Sequence, residues 1–102
     1  MELQSILAVL SGLGLPVAYD HFREAAKLPC LTVKELSADF MLADNKIYHM
    51  KQGWLISLYT DAKRPDTEKT VESRLDEYGL IWQKSDTIWI SAEQMYEINY
   101  TI

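Results

Sequence analysis

The chain is poor in the residues that mark secreted, repetitive or membrane-spanning proteins. Its 102 residues include one cysteine, Cys30, so no internal disulfide can form, and a reducing compartment such as the cytoplasm suits it. Four glycines and three prolines are scattered along it, without a linker or low-complexity tract. No apolar run approaches the roughly 20 residues needed to cross a bilayer. We therefore predict a single domain over residues 1–102.

Basic residues are also scarce. Ten Lys and Arg stand against fifteen Asp and Glu, and the net charge is −5. Binding to nucleic acid requires clustered cations that neutralise phosphates, and the sequence has no basic run. An anionic membrane surface is disfavoured for the same reason. We expect neither nucleic acid nor a membrane as a partner.

The signatures of catalysis and of cofactor binding are missing too. Asp20 and His21 form a lone adjacent pair, whereas metal sites usually need three or four ligands at set spacing. The sequence has no G-x-S-x-G motif and no glycine-rich phosphate loop. We interpret Cys30 as a small buried hydrophobe. We predict no catalytic, cofactor-binding or metal-binding residue and no enzymatic activity; an enzyme would need His21, His49 or Cys30 in a cleft with an acid.

Two helices are indicated by the spacing of apolar residues. The first, over about residues 2–12, has one apolar face: Leu3, Ile6, Leu7, Leu10 and Leu13. The second, over about residues 66–78, starts after Pro65 and stops at Gly79. Its apolar stripe is Val71, Leu75 and Tyr78. We interpret its acidic residues, interleaved with Lys69 and Arg74, as a solvated face: Asp66, Glu68, Glu72, Asp76 and Glu77.

Alternating residues predict about five or six strands. The segments are residues 30–36, 46–51, 54–60, 81–84, 87–91 and 94–102. Tight turns are predicted at residues 52–53 and 85–86, and an irregular or short extended segment at 15–22. Residues 54–60 are apolar on both faces, which indicates a central strand or a strand with one face in an interface. The predicted class is α+β, a mainly antiparallel sheet with two helices packed on it.

Aromatic residues are abundant, with three Trp, six Tyr and two Phe. They either fill the core or contribute to a contact surface, since aromatic residues and Met are enriched at protein interfaces. The candidate interface residues are Phe40, Met41, Leu42 and Trp54. The alternative, that these four cap the core of the sheet, stays open.

Four segments carry a resemblance to a known group of proteins: LPVAYDHF (15–22), FMLADNKIY (40–48), SLYTDAKRPDTEKTVESRL (57–75) and MYEINYTI (95–102). They resemble short prophage proteins encoded among the head–tail joining and tail genes of long-tailed phages, above all tail terminators. That resemblance implies a sheet with helices packed against it and a hexameric ring at the head-proximal end of the tail tube. It implies tail-tube and connector proteins as partners, no cofactor, and a place in the virion or, during assembly, in the bacterial cytoplasm.

The chain also departs from that group. Tail terminators are often longer, and their rings rely on extended loops, for which residues 38–45 and 52–53 are the candidates here. A minor head–tail or capsid-associated role stays open. The alternative function is a small monomeric protein-binding module or regulator without catalysis.

Overall fold

A computed structural model describes residues 2–36 and 53–102. These residues form two helices and six strands: α1 (Leu3–Ser11), β1 (Val17–Tyr19), β2 (Cys30–Glu35), β3 (Trp54–Thr60), α2 (Pro65–Glu77), β4 (Gln83–Lys84), β5 (Ile88–Ile90) and β6 (Met95–Thr101). The predicted α+β class is confirmed, as are both helices. The predicted strand at residues 46–51 lies outside the described residues, as does Gln52 of the predicted turn at 52–53.

The strands form one mixed, mainly antiparallel sheet in the order β1-β2-β3-β6-β4, with β5 also paired to β6. Only β1 and β2 run parallel among these pairs. Strand β3 lies in the middle, where Leu58 faces Leu31 of β2 on one side and Ile98 of β6 on the other. The prediction that residues 54–60 form a central strand is therefore confirmed.

The predicted turn at residues 85–86 is wrong. Strands β4 and β5 do not pair with each other but lie one after the other along β6. The stretch from Lys84 to Ile88 is one residue longer than the stretch from Glu97 to Tyr100 that it faces, which defines a β-bulge. Ser85 anchors the bulge, because its N–H donates to the Asn99 carbonyl at 2.8 Å. The polar pair Ser85 and Asp86 interrupts the alternation of the strand residues, and such an interruption is compatible with a bulge as well as with a turn.

Both helices pack on the same face of the sheet, which we call the covered face. The core consists of Ile6, Leu10, Leu31, Val33, Trp54, Ile56, Leu58, Val71, Leu75, Ile98 and Tyr100. On β3 the side chains of Ile56 and Leu58 point to this face, whereas Leu55, Ser57 and Tyr59 alternate with them and point to the opposite one, the second face. No described helix packs against the second face.

Helix α2 ends in a Schellman arrangement. Gly79 adopts a left-handed conformation with φ of 70°. Its N–H donates to the Asp76 carbonyl at 2.9 Å, and the N–H of Leu80 donates to the Leu75 carbonyl at 3.0 Å. The predicted stop at Gly79 is confirmed. Tyr78 is the capping residue, and it is 49% exposed instead of completing the predicted apolar stripe.

Arg74 joins the two helices, although its place in the sequence predicted a solvated side chain. Its Nε donates to the Val9 carbonyl at 2.8 Å. Val9 lies in the last turn of α1, where carbonyls lack helical partners and a cation is favourable. The guanidinium also lies 4.9 Å from the centre of the Tyr78 ring and packs directly against Gly12.

We predict that Gly12→Ala lowers the free energy of unfolding by about 1.5–3 kcal/mol, the value of a hydrogen bond to a charged group. The backbone of Gly12 has φ of −67°, which suits alanine, but the added Cβ would overlap the Arg74 guanidinium and displace it from Val9. Urea denaturation measures the change. In an Arg74→Ala background the same substitution should be neutral or slightly stabilising; an equal cost in both backgrounds would contradict this explanation.

Candidate functional site

A cluster of charged side chains lies between α2 and the β4–β6 edge of the sheet. Both oxygens of the Glu68 carboxylate are engaged, one by Nζ of Lys63 and the other by Nζ of Lys84, each at 2.8 Å. Glu72 accepts from the same Lys84 Nζ and from the Tyr100 hydroxyl, again at 2.8 Å. We call these five residues the Glu68 cluster.

The predicted solvated acidic face of α2 is therefore wrong at two positions. Glu68 is only 3% exposed and Glu72 is partly buried. Glu68 precedes Val71 and Leu75 by three and seven residues, so it lies on the same helical stripe as these core residues. The other acidic residues are exposed as predicted: Asp66, Asp76 and Glu77. The available sequence signal was the place of Glu68 on the apolar stripe of α2, four residues before a second acidic residue, Glu72.

Hydrogen bonds decide the protonation states of the cluster. Burial alone would raise the pKa of Glu68, but the ammonium groups of Lys63 and Lys84 outweigh it and hold the pKa below its usual value. Burial alone would lower the pKa of Lys84, and the carboxylates of Glu68 and Glu72 reverse that shift, so its pKa is raised. The pKa of Tyr100 is raised by burial and by Glu72.

These pKa shifts keep Glu68 ionised, Lys84 charged and Tyr100 protonated around neutral pH. Two carboxylates face two ammonium groups, and among the described residues no buried side-chain polar atom lacks a hydrogen-bond partner. Proton transfer near neutral pH needs a group whose pKa lies close to the working pH. The pKa values of Glu68, Lys84 and Tyr100 are all shifted away from neutral pH. The Glu68 cluster is therefore suited to fixing α2 on the sheet and not to proton transfer.

A second feature is a trough on the second face, with a volume of about 570 Å³. The loop after β1 forms one wall, Ile90 and Met95 the other, and Cys30 and Tyr59 part of the floor. Cavities of about 300–1,000 Å³ are typical of small-molecule sites. The trough is mainly apolar, and its charged groups come from the loop and from Glu93.

The predicted pair of Asp20 and His21 lies at this trough. Asp20 Oδ2 and His21 Nδ1 are 3.0 Å apart, and both side chains are exposed. Cys30 is buried, and burial raises the pKa of its thiol, which confirms its interpretation as a small hydrophobe. Within residues 2–36 and 53–102, no three His, Cys, Asp or Glu side chains are grouped to hold a metal ion. His49 lies outside the described residues.

The predicted interface residues fall in two groups. Phe40, Met41 and Leu42 lie outside the described residues. Trp54 is 4% exposed and belongs to the core. Its backbone exchanges two hydrogen bonds with Ile102, where β3 begins and β6 ends. This position matches the alternative that Trp54 caps the core of the sheet, and an interface role for it stays a prediction.

Further exposed apolar side chains lie outside the four candidate interface residues. Ile81 is 90% exposed, Ile88 45% and Trp89 47%. Ile88 and Trp89 belong to β5, which pairs with the outer side of β6, whereas Ile81 lies two residues before β4. Trp89 packs one face of its ring on Tyr96, with 4.8 Å between ring centres. The local pattern predicted strands here but gave no sign of which strand would form the edge.

No helix in the described parts of the chain is long and apolar enough to cross a membrane. Comparison with protein-family models and with curated proteins gives no match.

We predict that Glu68→Gln lowers the free energy of unfolding by about 1–3 kcal/mol, the cost of leaving buried polar groups without a partner. The loss arises because Lys84 keeps one carboxylate instead of two and Lys63 keeps none. Glu77→Gln on the same helix is the matched control, since Glu77 is exposed and pairs with Arg74. Its cost should stay below about 1 kcal/mol. Equal losses in the two variants would show that the buried carboxylate has no special role.

The pH dependence of stability should report the same cluster. The folded pKa of Glu68 lies below its ordinary 4.5, so its stabilisation is complete above pH 4.5 and is lost as the pH falls through the folded value. The pKa of Lys84 lies above its ordinary 10.5, so its contribution is complete below pH 10.5 and is lost as the pH rises further. The stability difference between wild type and Glu68→Gln, measured by urea denaturation, should therefore shrink below pH 4.5. A constant difference down to pH 2 would contradict the assignment.

Proposed function

We propose that this protein is a structural component of a phage or prophage virion, of the tail-terminator or head–tail joining type, without enzymatic activity. It oligomerises into a ring of six copies, the number that the resemblance implies. The ring binds tail-tube subunits on one side and head-connector proteins on the other. It acts in the virion and, during assembly, in the cytoplasm of the bacterial host.

The supporting observation is that both helices pack on one face of the sheet. The second face carries partly exposed apolar side chains, among them Leu55, Tyr59 and Met95, without a described helix over them. A ring subunit needs two different patches that meet at a closing rotation, each with an apolar centre and a polar rim. The second face can supply one such patch. The four segments that resemble tail terminators give the proposal its functional class.

The alternative function is a small monomeric protein-binding module or regulator. The trough favours it, because its volume of about 570 Å³ and its mainly apolar lining are typical of a binding site. This function does not depend on oligomerisation, but it requires a soluble partner protein in the host.

We predict that the protein forms hexamers, or rings that appear as concentration rises. Light scattering after size-exclusion chromatography measures the mass over a wide range of concentration. A hexamer supports the virion function. A constant monomer mass, together with recovery of one soluble host partner, supports the binding module.

A genetic test separates the two functions. Deletion of the gene from its phage should leave heads and tails unjoined or tails of abnormal length, and the wild-type gene should restore them. Met95→Lys places a charge on the second face and should fail to restore virions, whereas Lys69→Glu on the exposed side of α2 should succeed. Thermal denaturation confirms that both variants fold. Normal virions from the clean deletion would exclude the proposal.

A further inference from the structure

No described strand lies beside the outer edge of β5. This strand pairs with β6 on one side and with no described strand on the other, so its outward N–H and C=O groups have no strand partner. Natural proteins usually blunt such edges with Lys, Pro or a covering element. Residues 87–91 contain neither Lys nor Pro, and Ile88 and Trp89 remain nearly half exposed. The unpaired backbone specifies another β-strand as the partner.

We propose that β5 is a pairing site for a second copy of this chain, with the two β5 strands antiparallel about a two-fold axis at Trp89. Residues 87–91 read Thr-Ile-Trp-Ile-Ser, which is nearly the same in both directions. With Trp89 opposite its own copy, Ile88 faces Ile90 of the second copy, and Thr87 faces Ser91. A two-fold contact requires this kind of self-complementary surface.

The side-chain directions agree with this register. Ile88 and Ile90 point to the second face, because they pair with Glu97 and Met95 of β6. Trp89 points to the covered face, where it packs on Tyr96. Across the two-fold axis, isoleucine therefore meets isoleucine on one face and tryptophan meets tryptophan on the other. Aromatic and β-branched cross-strand pairs are among those that stabilise sheets.

Charge also permits this contact, although two chains of net charge −5 repel each other. Residues 87–91 carry no charge. Beyond them the register places Asp86 opposite Ala92 and Glu93 opposite Ser85, so no two acidic residues face each other directly. The contact is small, well below the roughly 1,200–2,000 Å² of stable interfaces, so the dimer must be weak and concentration-dependent.

The edge at the far side of the sheet is a poorer partner for β5. Strand β1 has only three residues and follows Pro16. The carbonyl of Tyr19 already accepts the N–H of His21 at 2.7 Å, so part of this edge is occupied. The self-pairing of β5 is independent of the proposed ring, which needs a contact between two different patches.

Cysteine cross-linking tests the register in a Cys30→Ala background. Facing residues of an antiparallel pair have Cα atoms about 4.5–5.5 Å apart, within the range that a disulfide spans. Only position 89 faces itself, so Trp89→Cys should give disulfide-linked dimers under mild oxidation. Ile88→Cys should give at least about fivefold less, since its own copy lies two residues out of register and beyond about 7 Å. The double variant Ile88→Cys with Ile90→Cys should link again, and Tyr78→Cys reports random collisions.

Sedimentation of the wild type up to millimolar concentration provides a second measurement. A mass above that of Ile88→Lys at the same concentration, retained in Lys69→Glu, supports the contact, with circular dichroism confirming that both variants fold. Equal cross-linking at positions 78, 88 and 89 would overturn the proposal. So would linkage of Trp89→Cys to Ala18→Cys on β1 in place of linkage to itself. Cross-linking at position 89 in the absence of hexamers would support the β5 contact and reject the ring. Hexamers in the absence of cross-linking at position 89 would support the ring and reject the β5 contact.

Discussion

Glu68 brings a carboxylate into the apolar stripe of α2, and the neighbouring structure is arranged to hold it there. A buried carboxylate requires cations within hydrogen-bonding distance, and no residue of α2 supplies them. Lys84 does so from β4 on the far side of the core, so α2 can dock only where that strand places the ammonium group. The packing of Val71 and Leu75 is non-directional, and the ion pair between Glu68 and Lys84 fixes where α2 lies on the sheet.

The bulge between β4 and β5 follows from this requirement. Lys84 must point to the covered face to reach Glu68, and Trp89 must point there to pack on Tyr96. The two residues are five apart, so regular alternation would send them to opposite faces. One extra residue in the bulge reverses the alternation and places both on the same face. Ser85, bonded to Asn99 through its backbone and its hydroxyl, fixes where the reversal occurs.

The sequence predicted those features that depend on neighbours along the chain. The apolar spacing of α1, the proline and glycine that bound α2, and the apolar central strand β3 are local signals, and all three predictions were confirmed. Features that depend on distant partners were missed. The burial of Glu68 depends on Lys84, sixteen residues away, and the bulge depends on the register with β6. An edge is defined by the strand that is missing beside it, which no local pattern encodes, so the edge position of β5 could not be predicted.

The bulge also limits what the exposed edge can do. A long, flat, apolar edge recruits strands without limit and leads to aggregation. Here the bulge bends the chain just before Thr87, and the turn after Ile90 leads it back into β6, so only a short segment stays straight. A segment of about five residues can pair in few registers, and only the one centred on Trp89 matches apolar with apolar residues on both faces. The bulge that directs Lys84 towards Glu68 therefore also keeps the β5 edge short, which limits the registers in which a second strand can pair with it.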